Sequence, residues 1–305
     1  MTVRHYALPV EETQWRVPSG TDSVFSWEYD GGRERLLSLY EKGKDKQWNA
    51  TYRLDWSTDV DVADQGLMPD YQVPIYGSPT WERLSRAEKD EVRQHTVSWL
   101  FSQFLHGEQG ALICGAKVVE TVPDLDSKFY AATQVIDEAR HVEIYSRYLR
   151  TKIEMAYPIN PDLRTLLNQT IADSRWDFTY LGMQVMIEGL ALAAFGLLRE
   201  LTSEPLAKAL TTYVMGDEAR HVAFGTLTLE QAYRDLSSSE RRDREAFVVE
   251  ASYLMRDRLV GREVWERLGF DVEESVRWVE ASPIMREFRK QLFSRIVPNI
   301  KRIGM

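Results

Sequence analysis

Cysteine is almost absent from this 305-residue sequence, and Cys114 is the single instance, so no disulfide can form within the chain. Such cysteine usage is typical of a reducing compartment, and we expect a cytoplasmic protein. Long apolar runs are also missing, because none approaches the ~20 residues that span a bilayer. The first residues, MTVRHYALPVEETQ, lack the apolar stretch of a signal peptide. We therefore expect no membrane association.

Basic residues are outnumbered by acidic ones, with 38 Lys and Arg against 47 Asp and Glu and a net charge of −9. An acidic chain without a block of Lys and Arg is a poor partner for nucleic acid or for an anionic membrane. Apolar residues make up 44% of the chain and charged residues 28%, which excludes a disordered or collagen-like protein. The length fits one elongated domain with extensions, or two domains.

Strand-like alternation long enough to build a sheet is missing too, so the sequence predicts an all-α fold. Helix caps and prolines divide the central part into four long helices. Ser85 and Glu88 form a capping box, Pro123 stops a helix, Ser174 and Asp177 form a second cap, and Pro205 suits a first helical position. The four helices run over about 85–120, 124–155, 174–201 and 205–236. Residues 156–173 then form a long crossover between the second helix and the third, with room for a short helix.

The remaining sequence flanks this central part. Residues 1–31 read as an irregular arm, 32–50 as a short helix and 57–80 as a turn-rich linker. Ser237 and Glu240 cap a fifth helix, and two or three shorter helices follow, broken near Gly261, Gly269 and Pro283. We therefore divide the chain into an N-terminal extension (1–84), a bundle (85–236) and C-terminal helices (237–305) that pack as one compact domain.

The most informative feature is a repeat of polar residues. The string DEARHV occurs at 137–142 and again at 217–222. Each copy contains Glu-x-x-His, as Glu138 with His141 and as Glu218 with His221, and residues three apart share a helix face. A further glutamate, Glu108 or Glu188, lies thirty residues before the Glu of each copy. The same three residues, Glu, Glu and His, thus recur in the same order, eighty residues apart.

Helix geometry brings these residues together. The midpoint between each lone Glu and its partner falls at a turn, at Pro123 in the first case and at Ser203 in the second. A chain that runs fifteen residues out and fifteen back, at ~1.5 Å per residue, returns to its starting level. Two such hairpins packed face to face place four carboxylates and two imidazoles at one level of a four-helix bundle. The six residues are Glu108, Glu138, His141, Glu188, Glu218 and His221.

Such a cluster requires cations, because the flanking residues are apolar and buried unpaired carboxylates are costly. Two divalent ions offset four negative charges and leave both imidazoles neutral. Carboxylate-rich sites with one His per ion suit iron or manganese better than thiolate-binding metals. The sequence therefore predicts two bound iron ions, with manganese an alternative at one or both positions. It does not tell which carboxylate bridges them.

Over about 85–236 the pattern resembles the ferritin-like di-iron carboxylate proteins, which carry these ligands in a helix bundle. DEARH is also similar to the Asp-Glu-x-Arg-His motif of bacterial multicomponent monooxygenases and related di-iron oxygenases. The resemblance implies that Asp137 orients His221 and that Asp217 orients His141, with Arg140 and Arg220 paired to those aspartates. A carboxylate in that position fixes the imidazole tautomer and raises its basicity.

Three activities are compatible with this resemblance. The first, which we favour, is an oxygenase or oxidase that uses O₂ and reduced iron to oxidise a small organic molecule, by hydroxylation, N-oxygenation or a related reaction. The second is a radical-generating subunit like the ribonucleotide reductase small subunit, with Tyr145 in the position of the radical tyrosine. That family usually has Asp where this chain has Glu108. The third is ferroxidase or peroxidase chemistry of the ferritin and rubrerythrin type.

The extra sequence around the bundle favours the oxygenase, because additional helices can enclose a cavity and exclude water. The aminobenzoate N-oxygenases are also similar in size, but they carry a further His one turn before the second Glu-x-x-His, where this chain has Val214. Multicomponent hydroxylases place Thr one turn after the third Glu, where this chain has Leu192. These departures leave the substrate open.

Residues one or two turns from a ligand share its helix face and are candidates for a substrate pocket. The candidates are Ala111, Leu112, Gly115, Gln134, Gln184, Ala191, Leu192, Val214 and Tyr145. An external electron donor such as a ferredoxin or flavin reductase is implied, because turnover requires reduced iron. The resemblance also implies a homodimer.

Overall fold

In a computed structural model of the chain, residues 18, 20–24 and 32–305 are described. Regular structure within them is helical and contains no strand, so the all-α prediction is confirmed. Most of the arm predicted for residues 1–31 lies outside the described residues.

Four long helices form the centre of the molecule. They are α4 (Arg86–Thr121), α5 (Leu125–Tyr148), the continuous pair α7 (Trp176–Tyr180) and α8 (Glu188–Leu201), and α9 (Pro205–Ala232). Helix α4 packs along α5, α8 packs along α9, and α5 also contacts α9. Two helical hairpins therefore lie face to face, and the predicted four-helix bundle with its crossover is confirmed.

Local signals set three of the four helix starts. The Ser85 side chain accepts from the Glu88 N–H, and the Glu88 carboxylate accepts from the Ser85 N–H at 2.7 Å. Asp124 caps α5, and Glu204 caps α9 with Pro205 at its first position. The predicted cap of the third helix is wrong. That helix begins at Trp176, and Asp177 instead accepts from Arg244 and Tyr233, which reach it from other helices.

A π-helical segment, Leu181–Ile187, joins α7 to α8 directly before Glu188. Such segments widen a helix locally and rotate the faces that precede them. Helix α9 approaches this segment closely, because a Cβ atom on Gly225 would lie 2.5 Å from Cβ of Gln184. Only glycine fits at that crossing.

Shorter helices surround the bundle. They are α1 (Glu34–Asp45), α2 (Ala50–Arg53), α3 (Pro79–Arg83), α6 (Pro161–Ala172), α10 (Ser238–Asp257), α11 (Arg262–Arg267), α12 (Val272–Ala281) and α13 (Pro283–Arg302), with 3₁₀ turns at Asp70–Gln72, Tyr233–Asp235 and Arg258–Val260. A π-helical turn, Leu149–Ile153, extends α5. Helix α1 crosses α5 and α9, α6 lies between α4 and α10, and α13 packs along α8. The division at residues 84 and 236 stays a prediction.

The third bundle helix corrects one expectation from the sequence. Residues Trp176–Leu201 form a continuous helix of 26 residues with a mean hydropathy of 1.8 in its most apolar window, which by length and composition could cross a membrane. In the protein 67% of that window is buried. The helix is thus surrounded by other helices, as the core helix of a globular protein is.

Candidate metal centre

The six residues singled out by the repeat meet at one level of the bundle. Glu108 lies on α4, Glu138 and His141 on α5, Glu188 at the start of α8, and Glu218 and His221 on α9. None of the six is more than 5% exposed. The hairpins return to the level of the ligands because the turns after α4 and α8 lie midway between the paired glutamates.

Each imidazole turns its Nδ1 atom into the cluster. His141 Nδ1 lies 3.2 Å from an oxygen of Glu108, 3.2 Å from Glu138 and 3.1 Å from Glu218. His221 Nδ1 lies 3.0 Å from Glu138 and 3.4 Å from Glu218. The two ring centroids are 6.0 Å apart. The imidazoles therefore stand on opposite sides of a shared pair of carboxylates.

The ligand-type atoms fall into two groups of four, and within each group they lie within 4.8 Å of one another. One group contains Glu108 and His141, and the other contains Glu188 and His221. Glu138 and Glu218 belong to both groups. The arrangement therefore offers two neighbouring four-ligand positions that share the carboxylates of the two Glu-x-x-His motifs.

Several atoms of the cluster form no hydrogen bond of acceptable geometry among the described residues, although other atoms of the cluster lie within 3.4 Å of some of them. They are both carboxylate oxygens of Glu218, Oε2 of Glu188 and Nδ1 of His221. Leaving buried polar atoms unpaired costs about 1–3 kcal/mol each. Cations between the carboxylates would satisfy all of these atoms, and oxygen donors with one imidazole per position suit iron or manganese. The residues present thus fit a two-metal centre.

The pKa values of the buried groups also indicate a site that binds cations. Burial, followed by the charge of Glu218, raises the pKa of both Glu108 and Glu188 well above the usual range. Burial also opposes the charge on His141, but the field of Glu108 and bonds to carboxylates raise the pKa of that imidazole well above its ordinary value. Without cations the cluster therefore retains protons that metal binding has to release.

Two aspartates hold the imidazoles from the outside. His141 Nε2 lies 3.1 Å from Oδ2 of Asp217, and His221 Nε2 lies 3.3 Å from Oδ2 of Asp137. Burial, the largest single influence, would raise the pKa of each aspartate, but the bond to its imidazole and the positive charges around it together outweigh burial and lower the pKa. An ionised carboxylate at Nε2 holds the proton there and leaves Nδ1 free as a ligand.

Two arginines cross-link these aspartates. Arg140 contacts Asp137 and lies 3.0 Å from Asp217, whereas Arg220 contacts Asp217 and lies 3.4 Å from Asp137. Each guanidinium thus contacts both carboxylates. The two positive charges of the arginines offset the two negative charges of the aspartates. Both arginines come from the DEARHV repeats, which therefore build this layer as well as the ligands.

Two further contacts were not predicted from the sequence. Gln47 Nε2 donates to Oδ1 of Asp137 at 2.8 Å, and Trp48 Nε1 donates to Oδ2 of Asp217 at 2.8 Å. Arg140 also donates to Gln47 at 2.7 Å and stacks on the Trp48 ring. Both residues follow α1, far from the repeat in the chain, and no local motif marks them.

A cavity of about 30 Å³ borders one side of the cluster. The carboxylates of Glu108, Glu188 and Glu218 form its polar wall. Of the pocket candidates, Ala111 and Ala191 line it. Its other lining residues are Gln103, Phe104, Gly107, Met183, Ile187, Leu190, Ala194, Phe195 and Arg258.

The other pocket candidates lie outside this cavity. Gly115 packs against Val135, and Leu192 lines a separate surface groove. Leu112 is half-buried away from the cavity, and Val214 is fully buried in the core. A prediction from ideal helical spacing could not include the π-helical segment before Glu188, nor tell which side of each ligand faces a neighbouring helix.

The two glutamines support the ligands. Gln134 Nε2 donates to Oε1 of Glu188 at 2.8 Å and to Oε1 of Glu138 at 3.2 Å. Gln184 Nε2 lies 3.5 Å from Oε1 of Gln134. The Gln134 amide therefore holds two ligand carboxylates, and Gln184 contacts that amide.

Tyr145 follows His141 by one turn of α5 and is fully buried. Its ring packs on Phe104 and Phe195, with centroids 5.7 and 6.0 Å away. Its hydroxyl has no hydrogen-bond partner among the described residues. Burial, and then the charge of Glu108, raises the pKa of the phenol well above its usual value.

Known proteins resemble this chain in sequence and in fold. The sequence profile of the P-aminobenzoate N-oxygenase AurF family matches residues 31–304. The fold is similar to solved structures of R2-like ligand-binding oxidase. One of these, with an aerobically reconstituted Mn/Fe cofactor, has a TM-score of 0.57 at 16% identity and covers 91% of this chain and 98% of its own. A variant of that oxidase, with an anaerobically reconstituted Mn/Fe cofactor, gives a TM-score of 0.58 at 17% identity, with 91% and 99% covered. No curated protein sequence matches the chain.

Proposed function

The chain belongs to the P-aminobenzoate N-oxygenase AurF family, and from this membership and the geometry of its buried cluster we propose that it is an O₂-dependent oxidase or oxygenase with a two-metal centre, acting on a small organic molecule. The observation that carries the proposal is the pair of four-ligand groups that share Glu138 and Glu218. Two adjacent positions with carboxylates in common fit a pair of ions working as a unit.

Under this proposal Glu108 and His141 would hold one ion, Glu188 and His221 would hold the other, and Glu138 and Glu218 would serve both positions. Iron at both positions is the first choice, and manganese is the alternative at one or both. The R2-like oxidase structures of similar fold have a Mn/Fe cofactor. When bound and reduced, the ions supply the electrons that activate O₂.

The chain's own residues prepare this chemistry. Asp137 and Asp217 fix the imidazole tautomers, and Gln134 holds the Glu188 carboxylate by a 2.8 Å bond. The apolar part of the cavity wall, which includes Phe104 and Phe195, keeps bulk water from the reacting centre. The substrate then reacts on the cavity side, next to Glu108, Glu188 and Glu218.

The reaction is an oxidation at carbon or at nitrogen. Aminobenzoate N-oxygenases carry a further His where this chain has Val214, and Val214 is fully buried in the core. The ligand set proposed for this chain therefore has two imidazoles. Hydroxylation and N-oxygenation are both compatible with it, and product analysis distinguishes them.

The proposed reaction requires an electron donor. Transfer of one oxygen atom of O₂ to a substrate, with reduction of the other to water, requires two external electrons. We propose a ferredoxin or a flavin reductase as their donor and the cytoplasm as the location. We also propose a homodimer, which the resemblance to the di-iron carboxylate proteins implies.

The surroundings of Tyr145 favour a second candidate function, that of a radical-generating subunit. A buried phenol without a hydrogen-bond partner, one turn from His141, is suited to one-electron oxidation. This candidate predicts a persistent tyrosyl radical signal that disappears in Tyr145→Phe. The oxygenase predicts oxidised product and the same product yield in that variant.

The test is single-turnover oxidation by the full-length protein. We expect anaerobic loading with Fe(II) to give about two ions per chain. We also expect exposure of the reduced protein to O₂ with a panel of aromatic amines and carboxylates to give a product that contains one ¹⁸O atom from ¹⁸O₂. Glu200→Gln, an exposed change on the helix that carries Glu188, is the control. Oxidation of many Fe(II) ions per chain to a mineral, without any organic product, would instead indicate ferroxidase activity.

A further inference from the structure

A surface groove lies next to two of the proposed metal ligands. Residues of α8, α9 and α13 line it, and its volume is about 510 Å³. Two of the lining residues, Gly189 and Val222, directly follow Glu188 and His221 in the chain. In each case a single peptide bond therefore joins the groove to a ligand residue.

The lining of this groove is mostly apolar or small. Four of its residues on α8 are only half-buried, namely Leu192, Ala193, Gly196 and Leu197. Their exposure agrees with the 67% burial of the most apolar window of this helix. The charged residues of the lining are Arg199, Glu200 and Arg295. Within the described part of the chain, the outer side of α8 is therefore an accessible apolar surface with charges beside it.

Helix α13 gives the groove a basic border. Residues 283–305 contain six Lys and Arg and one Glu, whereas the other 282 residues contain 32 Lys and Arg and 46 Asp and Glu. Three of the six, Arg286, Arg295 and Lys301, are exposed and have no side-chain partner among the described residues. The other three contact an acidic side chain or a backbone carbonyl. A positive surface thus lies on a chain that is otherwise strongly negative.

The three free cations fit the contact area of one small protein. Arg286 and Lys301 are fifteen residues apart on α13, which is about 22 Å at ~1.5 Å per residue. Each partner of an ordinary protein complex buries about 800 Å², and transient electron-transfer complexes bury less. One docked protein can therefore contact the cations and the groove together.

The opposite side of the bundle differs in charge. On α4 and α5, Gln109 and Ala139 are exposed and directly follow two further ligand residues. Ile113 and Ile136 are exposed on the same helices, and no exposed cation occurs within residues 105–119 or 129–142. Of the two sides that adjoin ligands, the one with the groove is therefore the side that attracts an acidic protein.

We propose that the groove and the exposed cations of α13 form the docking site of an acidic one-electron carrier protein of the ferredoxin class. The cations attract and orient the acidic surface of the carrier, and its redox group then lies over Gly189 and Val222. The proposal rests on the function proposed above and adds the surface that its electron donor uses.

The electrons balance over two docking events. In each event the iron–sulfur cluster of the carrier is oxidised by one electron, and one metal ion of the chain is reduced from the trivalent to the divalent state. The oxidised carrier then leaves, so that a second reduced carrier can bind. Two events supply the two electrons that one turnover requires.

Binding of a purified carrier tests the proposal independently of activity. The probe is an acidic plant-type [2Fe–2S] ferredoxin, titrated calorimetrically into the full-length protein in metal-free and Mn(II)-loaded forms. We expect both forms to bind it about tenfold more tightly at about 20 mM than at about 200 mM salt, because salt screens exposed charges. The triple variant Arg286→Glu, Arg295→Glu, Lys301→Glu should bind at least about tenfold more weakly at the lower salt concentration.

The triple variant Lys42→Glu, Arg53→Glu, Arg150→Glu is the matched control. These three cations are also exposed, lie outside α13 and the groove, and have no side-chain partner among the described residues. The control changes the net charge by the same amount, so it separates local contact from general repulsion. We expect it to lose no more than about twofold in affinity. Equal losses in the two variants, or a wild type that does not bind the ferredoxin, would overturn the docking site.

Gly196→Phe tests the groove separately from the charges. A Cβ atom on Gly196 would have Cε of Met215 as its nearest neighbour, at 3.6 Å, which is an ordinary contact. The added ring therefore occupies the groove without displacing α9. We expect weaker binding at both salt concentrations, since salt does not screen apolar contacts. Unchanged affinity in a correctly folded Gly196→Phe would overturn the proposed site.

Sedimentation of the same variants identifies a different occupant. If the wild type is a dimer that the α13 variant converts to a monomer, this face joins two copies of the chain, and the docking proposal is wrong. We expect the α13 variant to keep the oligomeric state, the Tm and the metal content of the wild type.

Reduction kinetics separate the docking site from the proposed function. Stopped-flow reduction of the Fe(III)-loaded protein by reduced ferredoxin should be at least about tenfold slower in the α13 variant, whereas reduction by dithionite should be unchanged. Labelled product from the chemically reduced wild type, without any ferredoxin binding, would refute the docking site alone. Ferredoxin binding that depends on the α13 cations, without bound metal or product, would refute the oxygenase function alone.

Discussion

Glu188→Gln should raise the stability of the metal-free protein, and metal loading should cancel that advantage. In the metal-free protein, burial and the neighbouring Glu218 raise the pKa of Glu188 well above its ordinary value of 4.5, so folding forces a carboxyl group to keep its proton. Glutamine has a similar shape, has no charge to suppress, and can still accept the 2.8 Å bond from Gln134. We therefore expect the substitution to stabilise the metal-free protein.

The magnitude follows from linkage. Keeping a proton at pH 7 on a group that is ionised in the unfolded chain costs up to about 3 kcal/mol. For a chain of this size ~1 kcal/mol corresponds to roughly 2 °C in Tm, so the metal-free variant should unfold up to about 6 °C higher. A pKa that is raised in the folded state makes stability fall as pH rises. The advantage of Glu188→Gln should therefore be present at pH 7 and vanish below about pH 4.5.

Metal binding cancels the stability advantage of the variant. Each ion bound at a hundred times its dissociation constant adds about 2.7 kcal/mol to the wild type. The variant lacks a ligand of one position and should lose that increment. Differential scanning calorimetry of both proteins, with and without Mn(II), measures the effect, with Glu200→Gln as the control. A lower Tm for the metal-free variant, together with an undiminished gain on loading, would refute the reasoning.

Three other outcomes are expected. The affinity of the cluster for metal should fall as pH falls, because metal displaces protons from groups such as Glu108 and His141, whose pKa values are raised. Calorimetry in buffers of different ionisation enthalpy should show this proton release. No release would contradict the reasoning. Gly225→Ala should lower the free energy of unfolding by about 1–3 kcal/mol, measured by urea denaturation, because its Cβ would overlap Cβ of Gln184; an unchanged midpoint would contradict the close packing. Tyr145→Phe should leave Tm within about 1 °C, since the lost hydroxyl has no partner, and a large drop would reveal one.

The bundle and the meeting of six side chains could be predicted because regular helices have a fixed rise per residue. A lone Glu and a Glu-x-x-His placed equally far from a turn must return to one level, and the turns after Thr121 and Leu201 satisfy this condition. Prolines and capping boxes are local signals, so the starts of α4 and α9 were predictable as well. The fold class and the position of the cluster thus depend on short-range rules.

The rest depends on contacts between distant parts of the chain. Gln47 and Trp48 reach the aspartates from beyond α1, and Arg258 reaches the cavity from the end of α10. No spacing rule relates these residues to the repeat. The π-helical segment before Glu188 has no sequence signature that ideal periodicity would reveal, and it breaks the regular spacing from which the pocket candidates were chosen.

Asp177 illustrates why the start of the third helix was misplaced. It forms a plausible cap pattern with Ser174, but Arg244 and Tyr233 provide it with partners that the local sequence does not show. Tertiary hydrogen bonds outweighed a local preference there. Local signals predicted the ligand pattern. The surroundings of the cavity depend on contacts between distant residues, so the sequence did not predict them.

Metal stoichiometry in single-ligand variants tests the central claim most directly. Glu138 and Glu218 belong to both ligand groups, whereas Glu108 and Glu188 each belong to one. Metal analysis after equilibrium dialysis should give about two ions per chain for the wild type and about one for Glu108→Gln or Glu188→Gln. It should give essentially none for Glu138→Ala or Glu218→Ala. A wild type without bound metal, or shared and unshared ligands that give equal losses, would contradict a two-metal centre bridged by Glu138 and Glu218.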